Sequence, residues 1–339
     1  MKSEQMYLIE RSRLISLLIL FVTACSNTTA QKTPNQGIAT LSASSNCQIV
    51  PHDFGKTKIC GQPQRVVAIG TNALDLLLSL GIEPVGYAED GRALIGSPQA
   101  GKPTVGVKYL GKRMKSHPVH IGTRQSPSLE TILRLKPDLI LGDFSDQSLY
   151  SNLSQMAPAL FPYQDYESDS DRWQQELRQL GKIMQREHHA QQVIDEHHQR
   201  IAQAKVKLKP VSRNSKVLLL SMSGLDRISV FNDETFAGNL LRDIGFQLAL
   251  PQHLPVTYGE INISLETLPQ INADLIIVMA SGDSSVEKVK TEWWQNPILR
   301  SLPPSQAGRV YFVDYQLWSR IAGPIAAEIM LDQIQELLL

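Results

Sequence analysis

The chain has 339 residues, more than one compact core usually organises and a comfortable length for two lobes. Its 42% hydrophobic and 19% charged residues make a globular composition, neither disordered nor fibrous. With 33 Lys and Arg against 33 Asp and Glu it does not look like a general nucleic-acid binder, and 3 cysteines are too few for a disulfide scaffold.

At the N-terminus, Lys2, Arg11 and Arg13 precede the apolar run Leu14 to Val22, which leads into Thr23-Ala24-Cys25. A basic region, a short apolar region and small residues are the anatomy of an export signal, and the run falls short of the ~18 apolar residues of a membrane span. Val22-Thr23-Ala24-Cys25 resembles a bacterial lipobox. That resemblance implies that residues 1–24 are removed and that Cys25 becomes a lipid-modified first residue; the alternative is an ordinary signal peptide with an incidental cysteine. Residues 25–46, rich in Ser, Thr, Asn, Gln and Ala, read as a flexible tether.

Export permits disulfides. Cys47 and Cys60 lie symmetrically about Asp53-Phe54, with Gly55 beside that centre, as a hairpin turn requires. A cross-strand disulfide is expected; two free thiols or a redox pair are the alternatives, although the spacing is not that of a Cys-x-x-Cys site.

From Arg65 onward short apolar runs alternate with helical periodicity. Arg65–Ile69, Pro84–Tyr87, Asp138–Leu141 and Ala159–Tyr163 read as strands; Asn72–Leu80, stopped by Gly81, and Ser128–Lys136 read as helices. This alternation predicts an α/β lobe with a mainly parallel sheet. Trp173, Leu177, Leu180 and Met184 then recur at helical spacing, and Ala190, Val193, Ile194, His197, Ile201 and Ala204 continue it after a break near residues 185–187. The second of these helices should end before Pro210 and, at ~1.5 Å per residue, run roughly 30 Å, enough to join two lobes stiffly. Beyond it Lys216–Leu220, Asp274–Met279 and Arg309–Val313 read as strands. Thr235–Ile244, closed by Gly245, and Pro324–Leu338 read as helices.

The most informative feature is an internal repeat. The segment from Ser128 to Ile140, Ser-Leu-Glu-Thr-Ile-Leu-Arg-Leu-Lys-Pro-Asp-Leu-Ile, aligns without gaps on Ser264 to Ile276, Ser-Leu-Glu-Thr-Leu-Pro-Gln-Ile-Asn-Ala-Asp-Leu-Ile, with 7 of 13 positions identical. Each copy offers an N-cap serine, a first-turn glutamate, a short helix and a strand. Two copies 136 residues apart predict two similar lobes facing one another. Pro269 should leave the second helix short or kinked.

With the repeat, Pro63-Gln64-Arg65-Val66-Val67-Ala68-Ile69, Leu80-Gly81-Ile82-Glu83-Pro84-Val85-Gly86 and Arg309-Val310-Tyr311-Phe312-Val313-Asp314 make the chain similar to the helical-backbone class of ABC-transporter substrate-binding proteins, from about Cys47 to the C-terminus. The resemblance implies two Rossmann-like α/β lobes with mainly parallel sheets, residues 47–185 and 211–339, joined by one long helix over 186–210, with a ligand cleft between them. It implies a monomeric, lipid-anchored protein of the periplasm or cell surface that captures a ferric siderophore and hands it to an ABC permease. Haem or cobalamin is the alternative cargo. It further implies that Glu130 and Glu266, one per lobe, meet arginines of the permease; by residue chemistry alone each also complements a helix N-terminus.

Between Gly91 and Leu129 there is no Asp or Glu, yet Arg92, Lys102, Lys108, Lys112, Arg113, Lys115 and Arg124 are present. Such a stretch reads either as a solvated loop or as a positive surface that would steer an anionic chelate. The loop from Gly122 to Glu130 is similar to that of ferric-hydroxamate-binding proteins, which makes Arg124 the foremost ligand contact; a planar guanidinium suits chelate oxygens better than an ammonium. Trp318 matches a family position that offers an aromatic wall, or else simply packs. Tyr87, Tyr109, Arg227, Tyr258 and Arg320 are further candidates from loops after strands.

His188, His189, His197 and His198 stand too far apart along a helix to share one metal ion, so any iron would arrive inside its chelator and no cofactor is expected. No Gly-x-Ser-x-Gly elbow, phosphate loop or metalloprotease helix occurs, and Ser221-Met222-Ser223-Gly224 lacks the elbow's first glycine. An exported hydrolase on the same scaffold is the rival from another class and would need a nucleophile beside a base; a structural or signalling lipoprotein is a third.

Overall fold

The computed structural model describes residues 47–90, 107–142, 147–161, 172–282 and 284–339. The export signal, the tether, Cys25, Arg92 and Lys102 lie outside the described residues.

The described chain begins with an antiparallel hairpin, β1 (Cys47–His52) and β2 (Gly55–Cys60), in which Cys47 pairs with Cys60 in register and the two are joined by a disulfide. Gly55 takes the positive φ of 127° that the turn demands. The hairpin is held to the first lobe by Thr57, whose hydroxyl donates to the Ala159 carbonyl at 2.8 Å.

The first sheet has the order β6 (Ser126–Pro127), β5 (Val119–Thr123), β4 (Gly86–Glu89), β3 (Val66–Ile69), β7 (Leu139–Gly142), β8 (Ala159–Leu160). All pairs are parallel except β5 with β6. Strands β3 and β7 are buried at every residue, as continuous apolar runs in a covered parallel sheet should be. The helices α1 (Thr71–Ser79), α2 (Leu129–Leu135) and α3 (Gln147–Ser154) supply the crossovers that parallel strands require.

Two helices follow, α4 (Arg172–Ile183) and α5 (Glu187–Ser212). The expected stop before Pro210 is corrected: α5 has 26 residues and carries Pro210 within its last turn. Pro210 withholds one amide from the carbonyl of Val206, but Val206 is 74% exposed, so water can satisfy that carbonyl. The rod is then ~39 Å long rather than 30 Å.

The second sheet is ordered β12 (Glu260–Ile263), β10 (Arg227–Phe231), β9 (Lys216–Gly224), β13 (Leu275–Ala280), β14 (Val310–Asp314), with β11 (Gln247–Leu248) beside the start of β9. Its β9, β13 and β14 run parallel, but β10 is antiparallel to both β9 and β12, so this lobe is more mixed than the first. The cause is local: only Leu225 and Asp226 separate β9 from β10, room for a hairpin and not for a crossover. Helix α6 (Phe236–Asp243) follows β10; α7 (Val286–Gln295), α8 (Pro297–Ser301) and α9 (Pro303–Gln306) join β13 to β14. A π-helical turn (Gln316–Ile321) leads into the final helix α10 (Pro324–Leu338).

The internal repeat is a structural repeat. Ser128 caps α2 by accepting from the Thr131 amide, while Ser264 opens a 3-10 helix, Leu265–Gln270, because Pro269 cannot continue an α-helical ladder. Each unit leads into the strand beside its lobe's first strand, β7 next to β3 and β13 next to β9. The shared aspartates do the same work: Asp138 accepts from the amides of Gln64 and Arg65, and Asp274 accepts from the amide of Lys216.

One apolar core runs through both lobes, collecting Leu74 and Leu77 of α1, Leu177 and Leu180 of α4, Ile194 and Leu208 of α5, Leu240 of α6 and Met330 of α10. A second core fills the outer side of the C-terminal lobe and a third that of the N-terminal lobe. A continuous core across the junction resists wide opening, because parting the lobes would expose packed apolar surface to water.

Candidate functional site

Between the lobes lies a cleft of about 520 Å³. From the N-terminal lobe Asn72, Asp90 and Arg124 enter it, each just beyond the carboxyl end of β3, β4 or β5. Helix α4 contributes Arg172, Trp173 and Glu176. The C-terminal lobe contributes Phe231 and Phe236 near the β10–α6 junction, Tyr258 and Glu260 at the approach to β12, and Trp318, Arg320 and Ala322 from the π-helical segment.

The charges on the first wall are held by partners. Arg124 Nε lies 2.7 Å from Asp90 Oδ1, and Asp90 Oδ2 accepts from the Thr71 hydroxyl and, at 3.3 Å, from the Thr71 amide. Asp90 therefore closes the first turn of α1 and is at the same time the ion-pair partner of the guanidinium. The Arg124 amide donates to the Glu89 carbonyl at 2.7 Å. On α4, Arg172 Nε donates to Glu176 Oε1 at 2.8 Å.

The second wall differs. Glu260 has no hydrogen-bond or ion-pair partner for its carboxylate among the described residues. Burial raises its pKa, and the charge of Arg320 only partly offsets this. Arg320 lies over the ring of Tyr315, 5.1 Å from its centroid. Tyr258 stands 88% exposed at the mouth, in the left-handed region with φ 50°.

The seam behind the cleft is stapled. Asp75 of α1, fully buried, accepts from the amides of Ile325 and Ala326 at 3.1 and 2.9 Å, so a carboxylate of one lobe caps α10. Burial holds its pKa up to about 7 despite these bonds. Gly323 allows that approach, since a Cβ there would meet Asp75 Cγ at 2.5 Å. Asn72 donates to the Ala322 carbonyl at 2.9 Å and Tyr109 donates its hydroxyl to Asp314 at 2.9 Å. Lys108 also pairs with Asp314, and Arg113 with Glu328 at 2.7 Å.

The structure thus gathers Arg124, Tyr258, Arg320 and Trp318 at the cleft and leaves the other candidates elsewhere. Trp318 is wholly buried, its indole donating to Gln333 at 3.0 Å; it backs the wall and offers no free face. Tyr87 is corrected to a core residue, with no exposed surface and its ring edge-on to His120 at 5.5 Å. Tyr109 is part of the interlobe seam. Arg227 sits beside the β9–β10 turn, paired in register with Gly224 and exposed, and is not among the residues that line the cleft. Of the cations between Gly91 and Leu129, Lys108 and Arg113 pair with Asp314 and Glu328 of the opposite lobe and Arg124 with Asp90, while Lys112 and Lys115 are exposed, in keeping with the solvated-loop alternative.

Sequence reasoning missed Asp90, Arg172, Glu176 and Glu260. The Arg172–Glu176 spacing of four residues was a legible signal, since such a pair meets on one helix face. Of the histidines, His197 packs against Trp173 with ring centroids 4.9 Å apart, and burial lowers its pKa to about 4. Glu130 and Glu266 are both exposed, at corresponding places in the two repeat units.

Two lobes, a connecting helix and an interlobe cleft define a solute-binding protein. The periplasmic binding protein family model matches residues 66–317, and the chain belongs to that family. It is 28% identical over 319 residues to the Fe(3+)-citrate-binding protein YfmC of Bacillus subtilis (strain 168), covering 92% of this chain and 91% of that relative. It is 28% identical over 280 residues to the Fe(3+) dicitrate-binding periplasmic protein FecB of Escherichia coli (strain K12), covering 82% of this chain and 86% of that one. Staphylococcus aureus SirA, solved in complex with staphyloferrin B, superposes with a TM-score of 0.68 at 24% identity, over 86% of this chain and 98% of SirA.

Proposed function

We propose that this chain captures a ferric siderophore outside the cytoplasm and delivers it to an ABC importer. One observation carries the reading: Arg124, Arg172 and Arg320 converge on the interlobe cleft of a periplasmic binding protein whose relatives include Fe(3+)-citrate binders. Guanidinium groups offer planar paired donors to the oxygens of an iron chelate, and a cleft that excludes water strengthens those bonds. The continuous core and the stapled seam favour modest closure around the cargo over a wide hinge. The protein contributes binding and presentation; the work of transport belongs to the importer.

Delivery is assigned to Glu130 and Glu266. Two exposed carboxylates at equivalent points of a repeated unit can engage a two-fold symmetric permease, one per half. Anchoring is assigned to lipidated Cys25, with residues 25–46 as the tether, residues 47–185 and 211–339 as the lobes, and a monomer as the working form. Fluorescence of Trp173, which lines the cleft, should respond to ferric citrate and ferric hydroxamates in a titration of the purified protein. Silence toward every ferric chelate would overturn the assignment. Glu130→Arg combined with Glu266→Arg should abolish uptake by cells while leaving chelate affinity intact; loss of affinity instead would remove the two glutamates from docking.

A further inference from the structure

Among the described residues of the N-terminal wall, Arg124 pairs with Asp90 and Arg172 with Glu176, while the Glu260 carboxylate on the facing wall has no such partner. Its backbone is rigidly held: its amide and carbonyl exchange bonds with Thr257 at 3.0 and 2.9 Å, and Gly259 beside it accepts from the Asn232 amide at 2.9 Å. Gly259 has φ 73°, and a Cβ there would strike Thr235 Cγ2 at 2.6 Å and Asn232 Oδ1 at 2.7 Å, so only glycine forms this turn. The turn delivers a half-buried carboxylate to a fixed place on the cleft wall. Arg320, the cation nearest in effect, forms no ion pair with it.

A preorganised, partly desolvated acceptor without a partner is costly in the empty protein and is compensated only when a donor arrives. The chelate oxygens are acceptors, and an ionised carboxylate has no hydrogen to donate to them, so Glu260 calls for a donor elsewhere on the cargo. We propose that Glu260 is a specificity-determining residue that selects ferric chelates carrying a protonated amine, which it binds by a charge-assisted hydrogen bond. This inference rests on the siderophore-binding reading and narrows it to cargo with a cationic arm. The arginines face the iron-binding oxygens, and the opposite wall reads the arm.

The test uses the purified full chain and two probes: the ferric complex of desferrioxamine B, which bears one terminal ammonium, and the same complex with that amine acetylated. Ferric citrate serves as an amine-free reference. The wild type should bind the ammonium form about tenfold more tightly than the acetylated form, and Glu260→Gln should erase that ratio by weakening the ammonium form alone. A thermal midpoint no lower than that of the wild type shows that the variant is folded. Equal affinities in the wild type, or a preference that survives in Glu260→Gln, overturn the inference and leave the siderophore reading standing. Binding of ferric citrate with refusal of both hydroxamates also overturns it. Refusal of all three overturns the inference as well; the siderophore reading itself falls only if every ferric chelate is refused.

Discussion

On the N-terminal wall of the cleft, Arg124 and Arg172 lie 2.7 and 2.8 Å from carboxylates of the same wall, whereas on the C-terminal wall Glu260 and Arg320 interact only through space. A paired wall is a rigid one: its guanidiniums are oriented before cargo arrives, and little entropy remains to be lost on binding. The second wall is a selective one, because its carboxylate is satisfied by the ligand or by nothing. The seam behind the cleft follows the paired pattern, with Asp75 set on the α10 amides and Asp314 shared by Lys108 and Tyr109. Shape and stability thus reside in the seam and the first wall, and discrimination in the second.

The largest effect that would break this division comes from Asp75. Its pKa is about 7 in the folded protein against an ordinary 3.8, so the folded state binds a proton that the unfolded chain releases. The stability this proton confers is complete below about pH 4 and is lost as pH rises to about 7, a span worth about 4 kcal/mol. Denaturant midpoints measured across that range should fall with pH in the wild type and lose most of that slope in Asp75→Asn. A variant with the wild-type slope would take Asp75 out of the seam's energetics. Next in size is Asp90→Ala, which strands Arg124 and opens the first turn of α1; breaking a buried pair of this kind costs about 3 kcal/mol. Chemical denaturation checks this, and a loss below about 1 kcal/mol would mean that the first wall is not rigidly paired. Arg320→Ala should show the opposite profile. Its exposed cation–π contact is worth under about 1 kcal/mol of stability, yet chelate affinity should drop about tenfold.

What was legible in the sequence is what local pattern encodes. Continuous apolar runs gave the buried strands β3, β7 and β13, and the repeated Ser-Leu-Glu units gave the two-lobed plan, down to the shortened helix at Pro269. The Cys47–Cys60 bond followed from symmetry about a turn. Partnership between distant segments was not legible. Lys108 and Arg113 find Asp314 and Glu328 roughly two hundred residues downstream, and nothing local to an acid-free stretch announces its neutralisation by another lobe. Tyr87 follows a strand pattern whether its ring faces a cleft or a core, and only the packing of His120 against it decides. Arg227 lies after an apolar strand run, but the chain turns back through Leu225-Asp226 and Arg227 opens the antiparallel strand β10. Glu260 is an ordinary glutamate until the Tyr258-Gly259 turn fixes it on the cleft wall.

The smallest expected effect separates the second wall from the first by its response to pH. Burial raises the pKa of Glu260 in the empty protein, so its ionised form destabilises the fold slightly as pH climbs through the carboxylate range; Glu260→Gln should remove that small loss. An ammonium bound against it favours the ionised form and lowers that pKa again. Binding then releases a proton wherever the empty carboxyl is still partly protonated, so affinity for the ammonium-bearing chelate must rise with pH there. The remaining charges that face the cleft, Arg320 beside Glu260 and the pairs Arg124–Asp90 and Arg172–Glu176 opposite, act on both forms of the probe and cancel in their ratio. The ratio of affinities for ammonium and acetylated hydroxamates should therefore grow as pH rises through the carboxylate range in the wild type and stay flat in Glu260→Gln. A ratio that is flat in both proteins, or one that grows in both, would show that a group other than Glu260 reads the ammonium.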